Sequence, residues 1–252
     1  MRRYGLIGLK LGHSFSARYF AEKFQREGLA GECSYDLYEL PSIECVADFI
    51  RNTDSLQGFN VTIPYKQQII PYLDSLSREA QDIGAVNCVK ILPDGRTVGY
   101  NTDIDGIRFS LDKLLCGQIV EAALLLGTGG ASKAVQYVLS ERGISCSVVS
   151  RDRSKGDFVY EDLSQEILAS HPLIINSSPV GMYPNVDEAP ALPYEYLTPS
   201  HYLFDLVYNP TTTKFMECGA RYGAQTLSGL DMLYAQAEAA WTIWNRPYAG
   251  GF

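Results

Sequence analysis

The sequence predicts an α/β fold made of two α/β domains, and three observations support this prediction. The chain has 252 residues, which is longer than a typical single domain and long enough for two modest hydrophobic cores. Short apolar runs of strand type alternate with helical patterns, which is typical of a mostly parallel sheet. In the second half, the buried strand VEAALLL runs directly into a glycine-rich turn and a helix, as in a doubly wound, Rossmann-like unit.

The first half begins as strand, loop and helix. Residues 4–9 form an apolar run of strand type, and apolar residues recur at helical spacing from Ser16 to Gly28. Strands are predicted at CSYDLYEL and LQGFNVTIP, with the helical segment VADFIRN between them. Residues 65–84 are predicted to form short helices or turns. The segments AVNCVKIL and TVGYNTD, joined by the turn PDGR, predict a β-hairpin.

The second half continues with a helix from Asp105, the strand VEAALLL, the helix ASKAVQYVLSERG and the strand SCSVVSR. Two later strands, HPLIINSSP and HYLFDLVYNP, are separated by a proline-rich segment that predicts an irregular loop with one helical turn. The final segment predicts a long helix whose apolar stripe needs a surface, and we expect it to return to the first domain. The predicted domains are therefore residues 1–103 with 230–252, and residues 104–229, with a cleft between them.

The composition argues against several classes of protein. With a net charge of -8 and scattered basic residues, the chain is not expected to bind nucleic acid. No window reaches the ~18 uncharged apolar residues of a membrane span, so we expect a soluble protein without a membrane partner. The widely spaced cysteines favour a cytoplasmic protein with reduced thiols. The first residues, MRRYGLIGLKLGHSF, lack a signal-length apolar core and are interpreted as mature structure.

The cysteines and histidines do not predict a metal site. The six cysteines contain no C-x-x-C pair, and the three histidines have none of the local spacings of metal ligands. Reduced thiols and no bound metal are the expectation.

The glycine-rich turn has the context that a dinucleotide-binding fingerprint requires, because a strand precedes it and a helix follows it. Glycines allow a tight turn and a close approach to a pyrophosphate, which free N–H groups and the helix dipole then stabilise. Ser132 stands at the place of the third glycine, so an ordinary strand-to-helix turn is the alternative. The candidate cofactor-binding residues of this turn are Gly127, Thr128, Gly129, Gly130 and Ala131.

The end of the second strand favours NADP(H) over NAD(H). Ser150 and Arg151 stand where an acidic residue would accept a hydrogen bond from a ribose 2′-hydroxyl, and Lys155 adds a second positive charge. An arginine can stack on adenine and bind a 2′-phosphate with its guanidinium group. The alternative is that Asp152 or Asp157 binds a 2′-hydroxyl, with Arg151 as a solvated charge.

Polar residues stand at predicted strand ends and loops of the first half, where an active site facing the cofactor would be built. The two serines of this set precede a helix and could cap it, the threonine fits any strand, and the asparagine could hold a turn. The lysine and the aspartate could form a surface ion pair. Taken one at a time, these structural alternatives are favoured. The residues are Ser14, Ser16, Thr62, Lys66, Asn87 and Asp103.

Eight ordered segments nevertheless carry a resemblance to one family. They are GHSFS at 12–16, NVTIPYK at 60–66, GAVN at 84–87, GYNTD at 99–103, GTGGASKA at 127–134, NSSPVGM at 176–182, DLVYNP at 205–210 and GLDMLYAQA at 229–237. On these segments the chain resembles the shikimate dehydrogenases along essentially its whole length. The resemblance implies reversible, NADPH-dependent reduction of 3-dehydroshikimate to shikimate in aromatic amino acid biosynthesis.

The resemblance also implies roles for individual residues. Lys66 matches the catalytic lysine, which polarises the ketone and gives up a proton, and Asp103 matches its partner. Residues that match substrate ligands are Ser14, Ser16 and Tyr208 for the carboxylate, and Thr62, Asn87, Asp103 and Gln236 for the ring hydroxyls. Residues that match the cofactor site of the second half are Met182, Val207 and Gly229. His13 lies beside the two serines and is assigned no catalytic role.

One departure from the family pattern leaves alternatives open. The usual Asn-Arg-Thr at the second strand is Ser150-Arg151-Asp152 here, which keeps the arginine but replaces a hydroxyl by a carboxylate. A quinate/shikimate dehydrogenase that uses NAD as well as NADP is therefore one alternative. A non-catalytic NADP-binding sensor is another, since a fold does not fix a function. The sequence is compatible with a monomer and with a homodimer.

Overall fold

The computed structural model describes residues 1–12 and 14–247, so His13 and residues 248–252 lie outside the description below. Within the described residues, none of the helices combines the length and the apolar character that a membrane span requires.

The chain divides into two units, each with its own sheet. Unit 1 contains Met1–Thr102 and the chain from Ala237 onwards, and unit 2 contains Asp103–Gln236. The predicted α/β fold with two α/β domains is confirmed.

Unit 1 is built on a sheet of six strands among the described residues, in the order β2-β1-β3-β5-β6-β4. The strands are β1 (Arg2–Gly8), β2 (Cys33–Glu39), β3 (Leu56–Val61), β4 (Ser75–Leu76), β5 (Cys88–Ile91) and β6 (Thr97–Tyr100). The helices are α1 (Phe15–Arg26), α2 (Val46–Asn52), α3 (Tyr65–Gln68) and α4 (Arg78–Ile83). β1 pairs in parallel with β2 and β3, whereas β5 pairs antiparallel with β3 and β6, as the predicted hairpin requires.

Unit 2 contains a fully parallel sheet in the order β11-β10-β9-β7-β8. The strands are β7 (Ala122–Leu126), β8 (Ser145–Val149), β9 (Leu173–Asn176), β10 (Tyr202–Asp205) and β11 (Gln225–Leu227). The helices are α5 (Asp103–Leu115), α6 (Gly130–Glu141), α7 (Gln165–Ser170) and α8 (Lys214–Arg221). β8 and β9 lie on opposite sides of β7, so the strand order reverses at β7. In such sheets the ligand site lies at the carboxyl ends of the strands around this switch point.

The last helix, α9 (Leu230–Asn245), begins in unit 2 and ends in the aromatic core of unit 1. Trp244 stacks on Tyr4 with 4.9 Å between the ring centroids, and its indole Nε1 donates to the Val89 carbonyl at 3.0 Å. A Cβ atom at Gly58 would lie 2.4 Å from the Trp244 ring, so only glycine leaves room for this packing. The buried Lys90 donates from Nζ to the Ile243 carbonyl at 2.8 Å, near the carboxyl end of the helix.

Some elements differ from the sequence prediction. The sequence predicts short helices or turns for residues 65–84, but Ser75–Leu76 form β4. The cause is Asp74, whose carboxylate accepts hydrogen bonds from the Thr97 amide at 2.7 Å and the Thr97 hydroxyl at 2.8 Å and so holds this segment against β6. The helices α7 and α8 and the strand β11 are not predicted from the sequence.

Candidate active site

Three of the sequence motifs of unit 1 are joined by hydrogen bonds around Asn87. The Asn87 Oδ1 atom accepts from the Thr102 amide at 2.7 Å and from the Thr102 hydroxyl at 3.2 Å. The Asn87 carbonyl accepts from the Val61 amide at 2.9 Å, and the Val86 amide donates to the Lys66 carbonyl at 2.7 Å. The predicted substrate residue Asn87 therefore fixes Thr102, the residue directly before Asp103. It also follows Val86, whose amide holds the backbone of Lys66.

Lys66 stands on a short but well-anchored helix. It is half-buried in α3, and the hydroxyl of the preceding Tyr65 donates to the Leu40 carbonyl at 2.7 Å. Thr62, just before this helix, is half-buried, and its amide donates to the Ile7 carbonyl at 3.0 Å. These bonds hold the backbone of the motif that contains both predicted residues.

The serines at the start of α1 do not cap the helix with their side chains. Ser14 is the N-cap residue, but its side chain makes no capping hydrogen bond. Ser16 lies in the first turn of α1, near the Tyr35 hydroxyl. The capping alternative is therefore wrong for both hydroxyl groups.

Hydrogen bonds lead from the Tyr35 hydroxyl into the sheet of unit 1. This hydroxyl donates to Asn60 Oδ1 at 2.8 Å, and Asn60 Nδ2 donates to the Asn87 carbonyl at 3.1 Å. Burial raises the pKa of Tyr35, so the hydroxyl keeps its proton and acts as a donor. Hydrogen bonds thus connect Tyr35 with Asn87 through Asn60, and the sequence singles out neither Tyr35 nor Asn60.

In unit 2, the turn after β7 lies at the switch point of the sheet. Gly127 has φ +104°, a conformation that favours glycine, and its amide donates to the Val149 carbonyl at 2.9 Å. The Ser177 amide and hydroxyl each donate to the Leu126 carbonyl at 2.9 Å. The turn is therefore fixed from both neighbouring strands.

The next two glycines have no structural reason to be glycine. Gly129, the N-cap of α6, has φ -73°, and the nearest atom to an added Cβ would be 4.0 Å away. At Gly130 an added Cβ would meet nothing within 4 Å. The first turn of α6 has no side-chain cap and no acidic residue, so no side chain competes with an anion for its N–H groups. This arrangement fits a pyrophosphate that approaches the backbone closely.

The acidic residues after β8 are engaged within the loop. Asp152 accepts from the Ser154 hydroxyl at 2.7 Å and the Ser154 amide at 3.0 Å and pairs with Lys155 at 3.1 Å, and these contacts lower its pKa to about 2. Asp157 accepts from the Val148 amide at 2.8 Å. Arg151 is exposed and has no hydrogen-bond or ion-pair partner among the described residues. The loop therefore offers a cation, rather than a carboxylate, to a ligand.

The other predicted cofactor residues lie in the loops that follow β9 and β10. Met182 is exposed and Val207 is buried. The Gly229 amide donates to the Val207 carbonyl at 3.0 Å, and a Cβ at Gly229 would lie 2.2 Å from the Leu206 carbonyl oxygen. Glycine is thus required for the close approach of these two segments, whatever else Gly229 contacts.

Two comparisons of the sequence identify the family. A family model described as the shikimate dehydrogenase substrate binding domain matches residues 6–89. The shikimate dehydrogenase (NADP(+)) of Methanococcus maripaludis is 35% identical, over 96% of this chain and 90% of that protein. This chain belongs to the shikimate dehydrogenase family.

Solved structures of shikimate dehydrogenase family members and related enzymes share the fold over nearly the whole chain. The Thermus thermophilus shikimate 5-dehydrogenase, in complex with NADP(H) and shikimate, has a TM-score of 0.83 and 31% identity, and the match covers 97% of this chain and 94% of the other. A quinate dehydrogenase from Corynebacterium glutamicum, in complex with NAD, has a TM-score of 0.87 and 26% identity, with 97% and 93% covered.

The residues that the family resemblance selects are distributed over both units. Ser14, Ser16, Thr62, Lys66 and Asn87 belong to unit 1, and backbone hydrogen bonds join the segments that contain Lys66 and Asn87. The predicted residues that belong to unit 2 are Asp103, Tyr208 and Gln236, together with the whole predicted cofactor set. Their roles toward substrate and cofactor stay predictions.

Sequence reasoning did not find several polar residues that build the site. Each is an amide or carboxylate at or near the end of an apolar strand: Asn60 in LQGFNV, Asn176 in LIIN and Asp205 in YLFD. A polar residue at the carboxyl end of a buried parallel strand is a signal that could have found the last two. Among the described residues, no group of three or more His, Cys, Asp or Glu side chains could hold a metal ion.

Proposed function

We propose that this chain is an NADP-dependent shikimate dehydrogenase, which catalyses the reversible reduction of 3-dehydroshikimate to shikimate. The observation that carries the proposal is the polar array of unit 1, in which directed hydrogen bonds join the motifs that contain Lys66, Asn87 and Thr102. Ser16 lies near Tyr35, which donates into the same array. Such an array of hydroxyls and amides suits a small hydroxylated acid. The relatives named above act on, or are bound to, a substrate of this kind.

The residues of unit 2 fit a bound NADP(H). Gly129 and Gly130 leave room for a pyrophosphate at the start of α6, and Arg151 is available for a 2′-phosphate. When bound, the reduced cofactor supplies the hydride for the ring ketone. Met182, Val207 and Gly229 are the residues proposed to contact its nicotinamide.

Lys66 is proposed as the catalytic acid and base. In reduction, its ammonium group donates a hydrogen bond to the ketone oxygen and gives that oxygen a proton as the hydroxyl forms. Asp103 would orient the ammonium and stabilise its charge. In oxidation the neutral amine accepts the proton from the substrate hydroxyl.

Recognition of the substrate is proposed to rest on neutral polar groups. Ser14, Ser16 and Tyr208 would bind the carboxylate through their hydroxyls. Thr62, Asn87 and Gln236 would bind the ring hydroxyls together with Asp103. A substrate analogue that lacks a ring hydroxyl would leave the matching group of the site unpaired, so the site should reject it strongly.

A second candidate is a quinate/shikimate dehydrogenase that also uses NAD. Asp152 in place of a hydroxyl residue favours it, as does the similarity to a quinate dehydrogenase in complex with NAD. The engagement of Asp152 with Ser154 and Lys155 favours NADP instead, because a carboxylate already bonded to its own loop is less available to a ribose hydroxyl.

The experiment is a measurement of reduced-nicotinamide absorbance while the purified protein oxidises shikimate with NADP, beside NAD and beside quinate. Turnover only with shikimate and NADP supports the proposal. Comparable rates with NAD or quinate would establish the second candidate instead. NADP binding without turnover of any pair would indicate a non-catalytic sensor.

The Lys66→Ala variant tests the proposed acid and base. Loss of a general acid lowers kcat by about 10²- to 10⁴-fold, and NADP binding should persist because Lys66 belongs to unit 1. Lys113→Ala, which removes an exposed lysine paired with Asp231 at 2.8 Å, is the matched control and should retain full kcat. If Lys66→Ala turned over shikimate like the control, the assigned role would be wrong.

A cytoplasmic location is part of the proposal. All six cysteines are unpaired, and three of them are partly buried, which is typical of proteins from a reducing compartment.

A further inference from the structure

Three polar side chains are fully buried behind the loops of unit 2 that follow β9 and β10. Asn176 ends β9, Asp205 ends β10 and Thr213 is the N-cap of α8, and each has 0% exposure. Asp205 Oδ1 accepts from Asn176 Nδ2 at 2.9 Å, and Asp205 Oδ2 accepts from the Thr213 hydroxyl at 2.6 Å. The three residues form one connected cluster.

Asn176 fixes the loop after β9. Its Oδ1 atom accepts from the Ser178 amide at 3.1 Å and from the Ser178 hydroxyl at 2.6 Å. Its Nδ2 atom donates to the Val180 carbonyl at 3.3 Å as well as to Asp205. The segment that leads to Met182 is therefore held by a single amide side chain.

Asp205 fixes the loop after β10. Its Oδ1 atom also accepts from the Val207 amide at 3.0 Å. Backbone bonds then join the two loops, because the Leu206 amide donates to the Asn176 carbonyl at 2.9 Å and the Tyr183 amide donates to the Asn209 carbonyl at 3.1 Å. The cluster and these backbone bonds therefore connect the two loops to each other.

The centre of the cluster is an acceptor that meets three donors. All three groups that bond to Asp205 are donors, and an ionised carboxylate is the side chain that accepts without donating. A buried charge is a poor source of stability, because desolvation offsets most of the attraction and apolar packing would serve as well. The buried carboxylate is bonded to the loops that contain Met182, Val207 and Tyr208. Precise placement of these residues is a better explanation for it than stability.

We propose that Asn176, Asp205 and Thr213 are positioning residues that hold the two loops in the geometry required at the nicotinamide end of NADP(H) and at Tyr208. This inference rests on the proposed function, since it assigns the loops to the reacting end of the cofactor. None of the three side chains touches the cofactor in this proposal. The turn at Gly127 and the loop at Arg151, which would bind the pyrophosphate and the adenosine, do not contain these residues.

The test compares the affinities of two ligands that contain different parts of the cofactor. Adenosine 2′,5′-bisphosphate contains only the adenosine end, whereas NADP⁺ contains both ends. In Asp205→Ala, three donors lose their acceptor and the loops shift, so the affinity advantage of NADP⁺ over the bisphosphate should fall. Turnover of shikimate should fall on the order of 10²-fold, the effect of a displacement of about 1 Å at a reacting centre. Affinity for the bisphosphate should stay within about threefold of wild type, which also shows that unit 2 is folded.

Asp205→Asn is the matched conservative variant. The amide keeps the oxygen that accepts from Asn176 and Val207, and its NH₂ group donates to a Thr213 hydroxyl that reverses its role. Turnover and the NADP⁺ advantage should therefore return to within about threefold of wild type, well above the ~10²-fold loss of the alanine variant. If Asp205→Ala does not fold, the same measurements are made on Thr213→Val, which lacks the neighbouring hydroxyl. Thr213→Ser, which keeps that hydroxyl, is then the matched control.

Three results would overturn the inference: normal turnover in the alanine and valine variants, equal losses of affinity for NADP⁺ and for the bisphosphate, or no recovery in Asp205→Asn and Thr213→Ser. The outcome is distinct from that of the proposed function. If wild-type protein does not oxidise shikimate, the proposed function fails, while the comparison of NADP⁺ with the bisphosphate still tests the loops.

Discussion

At the scale of single residues, glycines of the same motif are present for different reasons. Gly127 has φ +104°, so the backbone itself demands glycine there. Gly130, the first residue of α6, has neither a positive φ nor a neighbour within 4 Å of an added Cβ. The fold thus explains the first glycine, whereas a ligand that approaches the backbone explains the second.

Gly130→Ala should therefore change stability and binding in opposite directions. Alanine is a better helix former than glycine, so the free energy of unfolding should rise by up to about 1 kcal/mol. The new methyl group would occupy the space proposed for the pyrophosphate, so the KM for NADPH should rise at least about tenfold. Urea unfolding without cofactor and steady-state kinetics with varied NADPH measure the two effects.

Gly127→Ala is the contrasting variant, since it places a side chain at a strained φ and should lower the stability of unit 2. An unchanged KM for NADPH in Gly130→Ala would show that the start of α6 is not the pyrophosphate site.

At the scale of elements, the site of unit 1 depends on contacts between α1, β2 and β3. Ser16 of α1 lies near the Tyr35 hydroxyl of β2, and that hydroxyl donates to Asn60 Oδ1 of β3 at 2.8 Å. The apolar pattern of the sequence predicts each of these elements, but the polar contacts join residues that are far apart in sequence. They join β2 to β3 beside the first turn of α1.

Tyr35→Phe should weaken binding of the substrate without affecting the cofactor. Removal of the hydroxyl leaves the half-buried Asn60 Oδ1 atom without this donor, and a polar group left unpaired costs about 1–3 kcal/mol. The KM for shikimate should rise about tenfold, while the KM for NADP stays at the wild-type value. Tyr38→Phe on the same strand is a matched control, because no described residue hydrogen-bonds to its hydroxyl. Equal effects of both variants, or an effect on the KM for NADP, would contradict this account.

The individual elements also show which parts of the fold could be predicted from the sequence. Strong apolar runs such as LLL in β7 and LII in β9 predict buried strands because their side chains have no other stable environment. The helix α8, with the sequence KFMECGAR, and the three-residue β11 were missed because short, mixed segments depend on tertiary packing for their stability. Site residues named by motif were accessible from the sequence. Tyr35 and Thr213 were not, since their partners lie on other elements.

At the scale of the whole molecule, stability should depend on the protonation of one buried carboxyl group. Desolvation raises the pKa of Asp205 to about 6 from a usual value of 3.8, although three donors oppose the shift. The folded protein therefore holds this proton more tightly than the unfolded chain. The contribution is present in full below about pH 4, and it is lost as the pH rises to about 6 and beyond.

Asp205→Asn should remove this pH dependence, because the amide resembles the protonated carboxyl group and does not titrate. The difference in the free energy of unfolding, variant minus wild type, should grow by about 3 kcal/mol between about pH 4 and about pH 8, since the shift is about two pKa units. Urea unfolding followed by far-ultraviolet circular dichroism measures it. Asp187→Asn, at an exposed carboxylate of the same unit, is the control and should show no such growth. A constant difference across this range would mean that Asp205 stays ionised in the folded protein, held by its three donors strongly enough to overcome burial.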